Sequence, residues 1–170
     1  MTQTHHLILL RHAKSDWPTG VPDHERPLNE RGERDAPCTG DWLVSAGRVP
    51  DLVVCSTATR TRQTYALVAA AFEAEPEVVY TDDLYGASAG EMLEVVRAVP
   101  ESVGTLLVVA HNPGTQQLAL ALADDSHKEL VARIYNRYPT NTATVLETAA
   151  PWAVLDPGGA AVVDLASPRG

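Results

Sequence analysis

The sequence predicts an α/β fold: three layers, α/β/α, with a mostly parallel central sheet and helices on both faces. Two observations lead there. Short apolar runs alternate along the chain with longer amphipathic or capped stretches. The chain's bulk is that of a folded domain with a sizeable core: 170 residues, 45% hydrophobic and 21% charged, read as one domain over residues 1–170.

The elements follow in order. His6–Leu10 reads as a short buried strand. Residues 13–29 carry Pro18, Gly20, Pro22 and Pro27 and read as a long loop. A helix runs from Asn29, its cap, to Ala46, before Gly47. Asp51–Cys55 is a second strand, and Thr57 to about Phe72 a helix with Leu67, Val68 and Ala71 on one face. Glu77–Tyr80 is a third strand. Ser88–Val99 is a helix opened by the capping box Ser88-x-x-Glu91. Thr105–Ala110 is a fourth strand, and Pro113–Ala123 a helix with Asn112 as N-cap and Pro113 in its first position. Thr142–Glu147 and Ala160–Leu165 are late strands. The turn Asp156–Gly159 pairs Trp152–Leu155 with the last of them.

Composition excludes several roles. The net charge is −9, so no broad basic surface exists to hold nucleic acid, although a local basic pocket would stand out. No apolar run is long enough to span a membrane. Cys38 and Cys55 have no metal-type spacing and read as reduced thiols of a cytoplasmic protein. His5 and His6 precede the first strand's apolar core, and no small-residue cleavage site follows, so no signal peptide is expected.

In an open parallel sheet, ligands bind beyond the carboxyl ends of the strands. Strand one ends in Arg11, His12, Ala13 and Lys14; strand two in Ser56–Arg60, at a helix start; strand four in His111–Gly114, at another. Two arginines and two histidines, distant in sequence, meet on an edge that also carries helix N-termini, which favour anions. The convergence describes a phosphate pocket. Arg11 and Arg60 offer planar forks to phosphate oxygens. His12 can attack phosphorus through a neutral ring nitrogen, and the phosphohistidine so formed is hydrolysed by water. His111 can donate to the phosphoryl group as its charge shifts. Singly, each has a plainer reading as a surface residue, a solvated first-turn arginine or a polar cap. The chemistry calls for no cofactor and no metal, and a phosphate or sulfate ion suits the pocket. A zinc site from His5, His6, His24 and His111 is a weaker alternative, since His5 and His6 point to opposite faces of a strand and no third ligand is spaced to help.

"LLRHAKS", "CSTATRTRQT" and "VVAHNPG" resemble, in order, the three signature segments of the histidine phosphatase (phosphoglycerate mutase-like) superfamily. "RPLNERG", Arg26–Gly32, is similar to the loop and helix start of the small SixA-type phosphohistidine phosphatases. The resemblance implies a three-layer fold, His12 as the phosphorylated nucleophile, a pocket of Arg11, Arg60 and His111, and no metal. It also implies a substrate contact for Arg26.

Two positions depart from the family pattern. Where mutases and sugar-phosphate phosphatases carry an asparagine after the nucleophile, Pro18 stands here. Their general acid has no clear counterpart. Asp83 and Glu91 are the candidates by position, with Asp82 beside them, but Glu91 already serves the capping box and Asp82-Asp83 reads as a solvated turn. A phosphomonoester's alkoxide needs such an acid, typically worth about 10²–10⁴-fold. A phosphohistidine's imidazole can carry its own proton. The expected function is therefore a metal-independent phosphatase for phosphohistidine in a protein. The alternatives are a phosphomonoesterase for a small metabolite, which needs a working acid, and a phosphate-binding module with little turnover.

Overall fold

The computed structural model describes residues 3–170. Among these residues six strands form one sheet, and five α-helices cover it. Strand β1 (His5–Arg11) leads through a long loop into α1 (Glu30–Ser45). Then follow β2 (Leu52–Ser56), α2 (Thr59–Ala69), β3 (Glu77–Thr81), α3 (Ala89–Arg97), β4 (Thr105–Ala110) and α4 (Gly114–Leu122). Helix α5 (Lys128–Asn136) precedes β5 (Ala143–Thr148) and β6 (Ala161–Ala166).

The strand order is β3-β2-β4-β1-β5-β6. The first four run parallel; β5 and β6 join antiparallel. The expected α/β/α layering with a mostly parallel sheet is therefore observed. It follows from side-chain alternation on strands buried on both faces. Leu7 and Leu9 of β1 enter one core with Met92 and Val96 of α3, Leu118 of α4 and Ile134 of α5. Ile8 and Leu10 enter the other with Leu43 of α1 and Tyr65 and Val68 of α2.

Local chemistry sets the helix starts. The Asn29 side chain accepts from the Gly32 N–H, 2.9 Å. The Ser88–Glu91 capping box is formed in both directions. The start of α4 differs from expectation: Pro113 is the N-cap, without a side-chain cap bond, and the helix begins at Gly114. Gly114 lies so close to the chain before α3 that an added Cβ would sit 2.4 Å from the Ala87 carbonyl oxygen. Asn112 reaches over this start instead, its Oδ1 accepting from the Gln116 N–H at 3.3 Å.

One strand expectation fails, and one helix is unforeseen. Trp152–Leu155 is no strand: Trp152–Val154 is a single 3₁₀ turn, and β6 pairs with β5. Trp152 is wholly buried and its indole N–H donates to the Val103 carbonyl, 2.8 Å, so its apolar character anchors a loop into the core. Helix α5 has no forerunner in the sequence reading: it is short, and Ile134 is its one fully buried residue, although Leu130 and Val131 pack partly buried against the same core.

Candidate active site

The parallel order β2-β4-β1 brings three carboxyl ends side by side. Arg11 ends β1 and His12 follows it; His111 follows β4; Arg60 lies in the first turn of α2, after β2. All four line one cavity of about 220 Å³, together with Lys14 and Arg26. Among the described residues no acidic side chain lines it. The sequence expectation that these residues converge is met by the fold.

His12 is buried, and its Nδ1 lies 2.7 Å from the Ala13 carbonyl oxygen. A carbonyl can only accept, so Nδ1 carries the proton and Nε2 keeps its lone pair. Burial pushes the His12 pKa down to about 3, helped by His111, Arg60 and Arg11 nearby. The ring is neutral at pH 7. Its backbone is tied as well: the His12 N–H donates to Ala110 across the sheet, 3.1 Å, and the His12 carbonyl accepts from the Asn141 N–H, 3.0 Å. Ala13 is fully buried, and its N–H donates to Thr64 of α2.

His111 sits with its ring centroid 5.3 Å from that of His12. Burial, then Arg60, lowers its pKa to about 4, so it too is neutral. Its Nε2 lies 2.8 Å from the Ser56 hydroxyl, while its Nδ1 is buried without a partner. Arg11 donates through Nη1 to the Tyr138 carbonyl, 2.7 Å, and its Nε is likewise buried without a partner. Orphaned buried polar atoms are rare, and these two belong to side chains that line the cavity.

Arg60 and Arg26 are joined by a residue the sequence reading passed over, Asp23. Arg60 donates to the Asp23 carbonyl at 2.7 Å and to its carboxylate at 3.1 Å. Arg26 donates to the other carboxylate oxygen at 3.0 Å, to Ser15 Oγ at 2.7 Å and to the Asp16 carbonyl at 2.9 Å. It also lies 3.2 Å over the Trp17 ring. Arg26 thus lines the cavity while organising the β1–α1 loop around it. Tyr85 donates to Asp23 at 2.5 Å and stands edge-on to His111. The Tyr85 hydroxyl, then Arg26 and Arg60, hold the Asp23 carboxyl well below the usual carboxylate range.

The acid candidates from sequence are not brought to this cavity. Asp83 and Glu91 line a separate depression against α3. Glu91 is spent on the capping box, as its position had suggested. Asp82 accepts from the Thr57 hydroxyl, which also meets His24 at 2.9 Å, and it does not line the cavity. Among the described residues no three His, Cys, Asp or Glu side chains cluster as a metal site requires. Among them, too, no helix is long and apolar enough to cross a membrane.

A family model of the histidine phosphatase superfamily, branch 1, matches residues 7–136, a span that contains all four convergent residues. The chain belongs to this superfamily. A candidate phosphohistidine phosphatase SixA from Nakamurella multipartitia has the same fold, with a TM-score of 0.86, 35% identity, and coverage of 97% of this chain and 96% of that one. Its counterpart from Agrobacterium tumefaciens gives 0.82 at 30% identity, covering 96% and 98%. An uncharacterized protein of Mycobacterium tuberculosis is 43% identical over 94% of this chain and all of its own length. The histidine phosphatase is thus a phosphatase-type hydrolase of the SixA-type branch.

Proposed function

We propose that the protein is a cytoplasmic, metal-independent phosphatase that removes phosphate from phosphohistidine in a protein, with His12 as nucleophile. The observation that carries this reading is the His12 ring. It is held neutral, with Nδ1–H committed to the Ala13 carbonyl, inside a cavity that four cationic side chains line. The SixA-type likeness supports the same substrate class.

In the first step Nε2 of His12 attacks phosphorus in line. The Nε2–P bond forms as the bond to the substrate's imidazole breaks, and that imidazole leaves with its own proton. Arg11, Arg60 and His111 bind the equatorial oxygens. The Ser56 hydroxyl can donate to His111 Nε2, which leaves Nδ1–H for a phosphoryl oxygen. Arg11 Nε–H offers a second orphan donor. A charge-assisted bond of this kind contributes about 1.5–3 kcal/mol. In the second step water attacks phosphorus, the P–Nε2 bond breaks, and the water's proton passes to the departing phosphate.

The placement of the carboxylates outside the cavity favours phosphohistidine over a phosphate ester. Asp23, next to the arginines, is held ionised and cannot donate a proton. Asp83 and Glu91 face elsewhere. A leaving group that needs no protonation suits such a site.

The test is phosphate release at pH 7 from a phosphohistidine peptide and from p-nitrophenyl phosphate, with wild type and His12→Ala. Peptide turnover that exceeds ester turnover and vanishes in the variant is the expected result. Preferred turnover of the ester would instead support a small-molecule phosphomonoesterase. Release from neither, with phosphate still bound, would make the cavity a binding module.

A further inference from the structure

A second concentration of positive charge lies beside the catalytic cavity. A groove of about 520 Å³ is lined by Arg133, Asn136 and Arg137 at the end of α5 and by Leu165, Ser167 and Arg169 at the end of β6. Among the described residues no acidic side chain lines it, and no ion pair engages Arg133 or Arg137. Arg169 is partly committed, 3.6 Å from Asp35. The cavity holds four basic side chains and the groove three, so seven of the chain's 13 stand together in a protein of net charge −9.

Cavity and groove share a wall. The segment after α5 is extended at Arg137, with φ −163° and ψ 147°. Arg137, Pro139 and Thr142 line the groove. Between them, Thr140 lines the cavity and the Tyr138 carbonyl holds Arg11. An ester small enough for the cavity stays on one side of this wall. A polypeptide that presents a phosphorylated side chain to His12 can extend over it into the groove.

The plainer role of Arg133 is to complement the C-terminal dipole of α5. That role does not extend to Arg137, beyond the helix, or to Arg169 on another element. The cavity is also lined by Trp17, 73% exposed, with the Arg26 guanidinium stacked on it. Exposed aromatic and arginine side chains around a functional pocket are the composition of protein interfaces.

We propose that the groove is a docking surface for the acidic protein surface that flanks the phosphorylated histidine, so that the partner is selected outside the cavity. The proposal rests on the phosphohistidine reading of the cavity. Charge complementarity decides the occupant: exposed arginines on an otherwise acidic molecule steer an acidic patch to this one end.

Two phosphohistidine peptides test it, one flanked by glutamates and one by glutamines. Wild type is expected to turn over the glutamate peptide with roughly tenfold higher kcat/KM at low salt. That advantage should collapse in about 0.5 M NaCl, where the Debye length is only a few ångströms. It should also vanish in Arg133→Glu/Arg137→Glu, while p-nitrophenyl phosphate turnover stays at the wild-type level. Arg133→Gln/Arg137→Gln, which adds no new charge, should lose part of the advantage and guards against misfolding of the first variant. Equal kcat/KM for both peptides in wild type overturns the proposal.

Fluorescence anisotropy of the same peptides without phosphate reads the groove separately. If neither phosphopeptide is hydrolysed, the phosphohistidine reading has failed. Glutamate-dependent binding lost in the double variant then still upholds the groove, and its absence refutes it. Tighter binding of inorganic triphosphate, lost in that variant, would assign the groove to a small polyanion and overturn the protein partner.

Discussion

Asp23 puts a carboxylate in direct competition with any oxyanion for Arg60 and Arg26. Its side chain is half exposed, so solvent screens its charge. Replacing it by asparagine removes the competition and keeps the side chain's size. Asp23→Asn is expected to bind inorganic phosphate roughly 2- to 5-fold more tightly, read as a lower inhibition constant or by calorimetry. Weaker binding would mean that Asp23 matters more for positioning Arg60 than for occupying it. Arg11, His12, Arg60 and His111 were legible because each follows a recognisable strand, and the parallel sheet turns chain order into one edge. Asp23 was not legible: it meets its arginines only through the folded loop, and loop pairings leave no periodic trace. Asp83 and Glu91 failed for the opposite reason. They are in a suitable part of the chain, but the α3 cap and the turn after β3 claim them.

At the level of elements, α1 is pressed against the loop that carries the site. A Cβ on Gly32 would lie 2.1 Å from the Lys14 carbonyl oxygen, two residues beyond His12. The same carbonyl accepts from the Asn29 N–H at the helix cap, 3.0 Å. Gly32→Ala therefore forces backbone apart, at a cost of about 1–3 kcal/mol, and it should lower kcat as well as Tm. Gly90→Ala is the control. It sits early in α3, where the nearest atom to an added Cβ is Ser88 Oγ at 3.9 Å. It should leave both unchanged or raise Tm, since alanine suits a helix better than glycine. Equal effects of the two would detach α1 from the site. The strands and capped helices were readable because burial and caps are local signals. The β5–β6 pairing was not, because Trp152 and Leu155 are as apolar as a strand would be yet fill a core from a turn.

The whole molecule stores an acid sensitivity in its neutral histidines. Folding holds the His12 pKa at about 3 and the His111 pKa at about 4, against an ordinary 6.5. The unfolded chain therefore binds more protons as pH falls. This contribution is complete above about pH 6.5 and is lost progressively as pH drops toward the folded values. At pH 5 the loss is on the order of 2 kcal/mol for each histidine. Urea midpoints measured from pH 7 to pH 4.5 should fall, and His111→Gln should flatten the slope. An unchanged slope in that variant would contradict the buried neutral state.

Strand β1 alternates its side chains between the two cores, Leu7 and Leu9 on one side, Ile8 and Leu10 on the other, and delivers Arg11 and His12 at its end. The proposed catalytic pair therefore inherits errors from both sides of the sheet. In a random-mutagenesis screen for lost activity, hits would not ring the cavity alone. They would scatter through two spatially separate interiors. The mostly exposed edge strand β3, with Val79 and Tyr80 open to solvent, would tolerate variation. Enzyme activity in such a library would act as a gauge of the entire fold.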